Sequence, residues 1–191
     1  MTIKEIRVLN ATPLYDYRQA CAITEGRFVD VGWQPKNEKE YWIKQIVANH
    51  SCIRAVKFRY TAEAPKSVVM QIIRATKGHP QPFVQSSRPD WNNGKERSPD
   101  PYEEKLFIQD HTAESFIEVA KQRLCKRTEG RTRDFIKALI DEMKKSNNPF
   151  LEAVAECCHP ACWWLGGCCP EIKGCEGVKK ISSKIIEGVT K

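Results

Sequence analysis

Between Ile53 and Ile73 the hydrophobic period of the chain changes, and a proline stands at the change. In IRAVKFRY, Val56, Phe58 and Tyr60 alternate with Lys57 and Arg59, the period-two pattern of a half-buried strand. Beyond Pro65, Val68, Val69, Ile72 and Ile73 recur at helical spacing, and proline is favoured where a helix begins. A strand running directly into an amphipathic helix requires a fold that layers helices on a sheet.

The next segment excludes regular structure. Pro80, Pro82, Pro89, Pro99 and Pro101, with Gly78 and Gly94, break most of residues 77–101. A loop this long within a compact domain is usually either functional or disordered. It carries His79, Phe83, Trp91 and several hydrogen-bonding side chains, which suits a binding loop.

The flanking elements complete the pattern. Residues 3–9 (IKEIRVL) read as a first strand by their β-branched content. Asn37 is placed to cap a helix over the segment ending at His50, with Tyr41, Ile43 or Trp42, and Ile46 on or near one face. KLFIQ is a short apolar strand. Three helices follow: residues 112–126 with Phe116, Ile117, Val119, Ala120 and Leu124 inward; residues 129–146 with Phe135, Ile136, Leu139, Ile140 and Met143 inward; and a short one from Pro149. Val178–Val189 reads as a closing helix. There is no internal repeat. The expectation is an α+β fold in one domain, residues 1–191, with a mixed or antiparallel sheet flanked by helices and a cysteine-rich segment at 157–177.

At 191 residues the chain can bury a core without disulfide staples. MTIKEIRVLN lacks the apolar core of a signal peptide, and no apolar run reaches the roughly 20 residues of a membrane span. A cytoplasmic protein without membrane association is expected. The net charge of +7 favours anionic partners. Because the basic residues are dispersed, small phosphorylated ligands fit better than nucleic acid.

Gln71 and Arg74 lie one turn apart on one helix, so both can reach a single ligand. Glutamine offers a donor and an acceptor, and arginine offers a fork matched to phosphate oxygens. Gln85-Ser86-Ser87-Arg88 adds amide, hydroxyls and a second guanidinium, and Arg123, Arg127, Arg131 and Arg133 follow. Nine cysteines are present, six of them between 157 and 175. With His159, the candidate ligands Cys158, Cys162, Cys168, Cys169 and Cys175 have spacings compatible with zinc or an iron–sulfur cluster. Free buried or redox-active thiols, and disulfides, are the competing readings.

Several segments, taken in order, resemble one family. His50-Ser51-Cys52-Ile53 precedes the strand VKFRY; Ala64-Pro65 precedes Gln71-x-x-Arg74; Ala113-x-Ser115-Phe116 leads to Arg123-Leu124-Cys125-x-Arg127 and Arg133; Pro160-x-Cys162, Gly167-Cys168 and Pro170-Glu171 follow. This series is similar to the flavin-dependent thymidylate synthases over most of the chain. The family signature, Arg-His-Arg-x-x-Ser-x-Asn-Glu-x-Ser-x-Arg, is altered here. Arg74 keeps its first position, but Ala75 and Thr76 take the next two, and the loop is longer around residues 78–82. Gln85 stands near the Asn-Glu positions, Ser87 matches the serine and Arg88 approximates the last arginine.

The resemblance implies a fold of the thymidylate synthase-complementing type and a homotetramer with shared sites. It implies reductive methylation of deoxyuridine monophosphate with FAD, NADPH and methylenetetrahydrofolate, without an enzyme nucleophile. Arg123 would stabilise charge on the uracil ring as the catalytic residue. Gln71, Arg74, Gln85, Ser86, Ser87 and Arg88 would complete the nucleotide site. His50, Ser51, Arg74, His79, Thr112, Glu118 and Arg133 would face flavin or folate, with His79 replacing the histidine absent at position 75. The alternatives are a related pyrimidine-nucleotide modification, by hydroxymethylation or on a cytidine nucleotide, and a metal-stabilised basic module that binds nucleic acid. Against the last, aromatics are not interleaved with the arginines as a stacking platform.

Overall fold

A computed structural model describes residues 1–28, 32–76, 82–91, 93–94, 98–170 and 175. The expected helix at Val178–Val189 lies outside the described residues, as does His79. The fold is α+β, with a four-stranded antiparallel sheet and seven α-helices among the described residues. Two compact units share it. Met1–Trp33 and Ser51–Ser115 form the first; Gln34–His50 and the chain from Phe116 onward form the second. Among the described residues no helix is long and apolar enough to cross a membrane.

The first unit holds the sheet. Its strands β1 (Thr2–Val8), β2 (Lys57–Pro65), β3 (Phe83–Val84) and β4 (Glu104–Thr112) lie in the order β1-β2-β4-β3. The alternation in β2 sets its faces: Phe58, Tyr60, Ala62 and Ala64 are all buried. Antiparallel register places Phe58 opposite His111, Arg59 opposite Asp110 and Tyr60 opposite Gln109. That register inverts the simple apolar reading of KLFIQ. With Phe107 inward, Lys105, Gln109 and His111 share its buried face, while Leu106 is exposed.

Helix α3 (Lys66–Ala75) begins directly after β2 and buries Val68, Val69, Ile72 and Ala75. Pro65 gives it no side-chain cap. Its first amides are satisfied by the chain itself, Lys66 N donating to the Glu103 carbonyl and Ser67 N to that of Pro101, both at 2.9 Å. Helix α1 (Pro13–Thr24) buries only Leu14, Tyr17 and Ala22. Asn10 anchors this region: its Oδ1 accepts from Lys57 N at 2.8 Å, and its Nδ2 donates to Ala55 O and to Asp16.

The second unit is helical: α2 (Glu38–Ala48), α4 (Ala113–Arg123) from Phe116 onward, α5 (Gly130–Lys144), α6 (Pro149–Glu156) and the short α7 (Ala161–Trp164). Asn37 caps α2 as expected, its side chain accepting from Glu40 N. Glu129 caps α5 through Arg131 N and Thr132 N, and Asn148 caps α6 ahead of Pro149. Trp42 is fully buried and meets Phe150 edge-on at 5.0 Å between α2 and α6. Phe135, Ile136, Leu139, Ile140 and Met143 form the buried face of α5, as their spacing predicts.

Candidate functional site

In the first unit, α3 presents Gln71 and Arg74 beside its buried stripe, Gln71 half-buried and Arg74 exposed. Neither side chain makes a hydrogen bond or ion pair among the described residues. Ala75 and Thr76 point the other way. Both are buried, and the Thr76 hydroxyl donates to Ile73 O at 2.8 Å. These two positions therefore supply packing where the family signature supplies a histidine and an arginine.

The segment after β3 divides between available and engaged groups. Gln85 continues the β3–β4 ladder: its amide donates to Leu106 O at 2.8 Å and its Oε1 accepts from Leu106 N at 3.3 Å. Ser86 Oγ accepts from Arg88 N at 3.1 Å. Arg88 makes a two-pronged contact with Asp90 and lies 5.3 Å from the centre of the Trp91 ring. Ser87 is half-buried and makes no hydrogen bond among the described residues. The Arg88–Asp90 pair is exposed on both sides, and such pairs contribute little stability. A phosphate can therefore exchange with Asp90 at small cost.

Thr112 is committed to folding. It and Ser115 form a reciprocal cap at the start of α4, Ser115 N donating to Thr112 Oγ1 and Thr112 N to Ser115 Oγ. His111 Nδ1 lies 2.9 Å from the same Ser115 Oγ, fully buried. The ring stacks with Phe58 and Tyr60, and the Tyr60 hydroxyl donates to Gln109 at 2.9 Å. Burial pushes the Tyr60 phenol above its ordinary range. This inward polar row was not among the sequence candidates. Period-two counting finds it once register with β2 has set Phe107 inward.

In the second unit, Arg123 ends α4 and is half-buried. Glu118 pairs with Lys121, whose ammonium lies 4.9 Å from the Trp164 ring centre. Arg133 Nη1 donates to Lys126 O at 2.9 Å and so ties the turn between α4 and α5. His50 is exposed just beyond α2; Ser51, in the first unit, opens the 3-10 turn Ser51–Ala55 and is exposed.

No protein-family model matches this chain, and no curated protein matches it.

All nine cysteines are free thiols. Burial pushes Cys157 up to about 12 and Cys158 well above the usual thiol range, so both are neutral near pH 7. Burial also lowers His159 below the usual imidazole range, against the opposing hydrogen bond to the Glu156 carbonyl. Its ring stacks on Trp163 with centroids 3.9 Å apart. Among the described residues no three His, Cys, Asp or Glu side chains are placed to share a metal ion. Cys158, His159, Cys162, Cys168, Cys169 and Cys175 do not converge as a ligand set.

The groups expected to meet a nucleotide fit that task better than those expected to meet flavin. Gln71, Arg74 and Ser87 have polar atoms without partners among the described residues. Thr112, Glu118 and Arg133 are already engaged in capping, an ion pair and a turn. Chemically, the first set can bind phosphate and a sugar or base edge. It contains no nucleophile paired with a base.

Proposed function

We propose that this chain binds deoxyuridine monophosphate and methylates it as a divergent flavin-dependent thymidylate synthase. One observation carries the reading: Gln71 and Arg74 stand one turn apart on α3 with their polar groups uncommitted among the described residues, directly after the strand–proline junction that the resemblance requires. Ser87 adds a hydroxyl without a partner among the described residues, and Arg88 adds a guanidinium held by the exposed Asp90 carboxylate and the Trp91 ring.

Arg74 and Arg88 neutralise the phosphate, while Gln71 and Ser87 orient the sugar and base. In the homotetramer with shared sites that the resemblance implies, Arg123 would donate to the uracil edge and stabilise charge developing there. FAD, when bound and reduced by NADPH, would supply the hydride, and methylenetetrahydrofolate would supply the one-carbon unit. A homotetramer with shared sites and a cytoplasmic location belong to the same proposal.

The test is a titration of deoxyuridine monophosphate into the full chain, with a product assay containing FAD, NADPH and methylenetetrahydrofolate. Charge-assisted hydrogen bonds contribute about 1.5–3 kcal/mol, so Arg74→Ala should weaken nucleotide binding by about ten- to a hundredfold. Arg123→Ala should abolish turnover. Absence of both saturable binding and thymidylate formation sinks the proposal.

A further inference from the structure

The polar side of α5 carries Lys137, Asp141 and Lys144 at positions i, i+4 and i+7, a spacing that keeps them on one helix face. These three line an open depression of about 420 Å³, together with Glu156 at the end of α6 and His159 in the turn beyond. The volume falls within the range of small-molecule sites, roughly 300–1,000 Å³. None of the residues belongs to the nucleotide set described above.

All but Glu156 are held in a way that leaves them usable. Lys137 and Lys144 make no ion pair among the described residues, although Asp141 is at pairing distance in sequence from both. The Asp141 carboxylate makes none either. Glu156 is taken by Lys39 at 3.1 Å, so the uncommitted charges are two ammoniums and one carboxylate. The His159 ring donates to the Glu156 carbonyl and lies flat against Trp163. A ring nitrogen engaged by that carbonyl leaves the other one for a ligand. The buried thiol of Cys158 completes part of the lining.

We propose that this depression binds a small phosphate monoester carrying free hydroxyl groups. A phosphate monoester brings a charge of about −1.5 to −2 near pH 7, which two lysines offset. Asp141 repels a bare phosphate, so phosphate alone is a poor occupant. Hydroxyls turn the same carboxylate, and the second His159 nitrogen, into hydrogen-bond partners. A stack of imidazole on indole gives the sugar a rigid wall.

The probe is ribose 5-phosphate, titrated calorimetrically into the full chain while the ring resonances of His159 and Trp163 are followed by NMR. Ribose 5-phosphate should bind saturably and shift both rings. It should bind at least tenfold more tightly than inorganic phosphate, and ribose should not bind. Because Lys137 and Lys144 are exposed, K137E/K144E should keep the parent melting temperature and lose at least tenfold in affinity. Arg74→Ala should leave this binding unchanged, which separates it from the deoxyuridine monophosphate site. No saturable binding, equal affinity for inorganic phosphate, full affinity in K137E/K144E, or loss in Arg74→Ala each overturns the proposal.

Discussion

Strands β2 and β4 are neighbours in one sheet and turn the same face inward, yet they bury opposite chemistry. β2 buries Phe58, Tyr60, Ala62 and Ala64; β4 buries Lys105, Phe107, Gln109 and His111. On β2 the inward side chains need little beyond close packing. Three of those on β4 need a polar partner, because a buried polar group without one is costly. The partners are present: Glu103 for Lys105, Tyr60 for Gln109 and Ser115 for His111. A one-residue slip of β4 against β2 would break the Tyr60–Gln109 bond and reverse the faces, so the polar row helps to specify register. β2 supplies cohesion and β4 supplies specificity.

The largest expected effect tests cohesion. Phe58 is fully buried, and Phe58→Ala should cost about 3–5 kcal/mol, read as a fall in the urea midpoint at unchanged slope. A loss below about 1 kcal/mol would mean that β2 is not a packing strand. The next test asks whether β4 behaves differently. Lys105 is only 2% exposed, and its ammonium meets Glu103 at 2.9 Å. Glu103→Ala leaves that charge buried and unpartnered, and should cost about 3 kcal/mol. Lys105→Met removes the charge and keeps the stem, so it should change stability by less than about 1 kcal/mol. The remaining Glu103 is partly exposed. Equal losses in the two variants would show that the pair acts through packing alone.

The same contrast explains what the sequence made visible. β2, α3 and α5 could be read because their burial is apolar and periodic, and Asn37 because a cap is a local signal. α1 could not: its three buried side chains make too thin a stripe over twelve residues. The inward row of β4 was hidden because Lys105, Gln109 and His111 look like solvent-facing residues until register with β2 decides their side. For the site, the helical spacing of Gln71 and Arg74 was enough to pair them. The engagement of Gln85 with Leu106, and of Arg88 with Asp90, depends on strand pairing and on a turn within an irregular segment, which residue type does not encode. Lys137, Asp141 and Lys144 had a readable spacing on α5, but their depression also needs Glu156 and His159, brought in by the packing of α6 on α5.

The outward face of the same two strands gives the smallest and most specific test. Arg59 and Asp110 are directly opposed and meet through two contacts, at 2.6 and 2.8 Å. The hydrogen bonds from Arg59 hold the Asp110 carboxyl below the usual carboxylate range. A carboxyl lowered on folding adds stability that is fully present above its unfolded value, near 3.9, and is lost as pH falls through the lower folded value. Both partners are partly exposed, so the contribution is reduced by solvent and salt. Asp110→Asn should therefore leave the core intact while flattening the decline in stability below about pH 4. The difference from the parent should shrink at high salt. If the acid limb keeps its slope in Asp110→Asn, this cross-strand pair is ornamental, and the distinction between the strands lies wholly on their buried face.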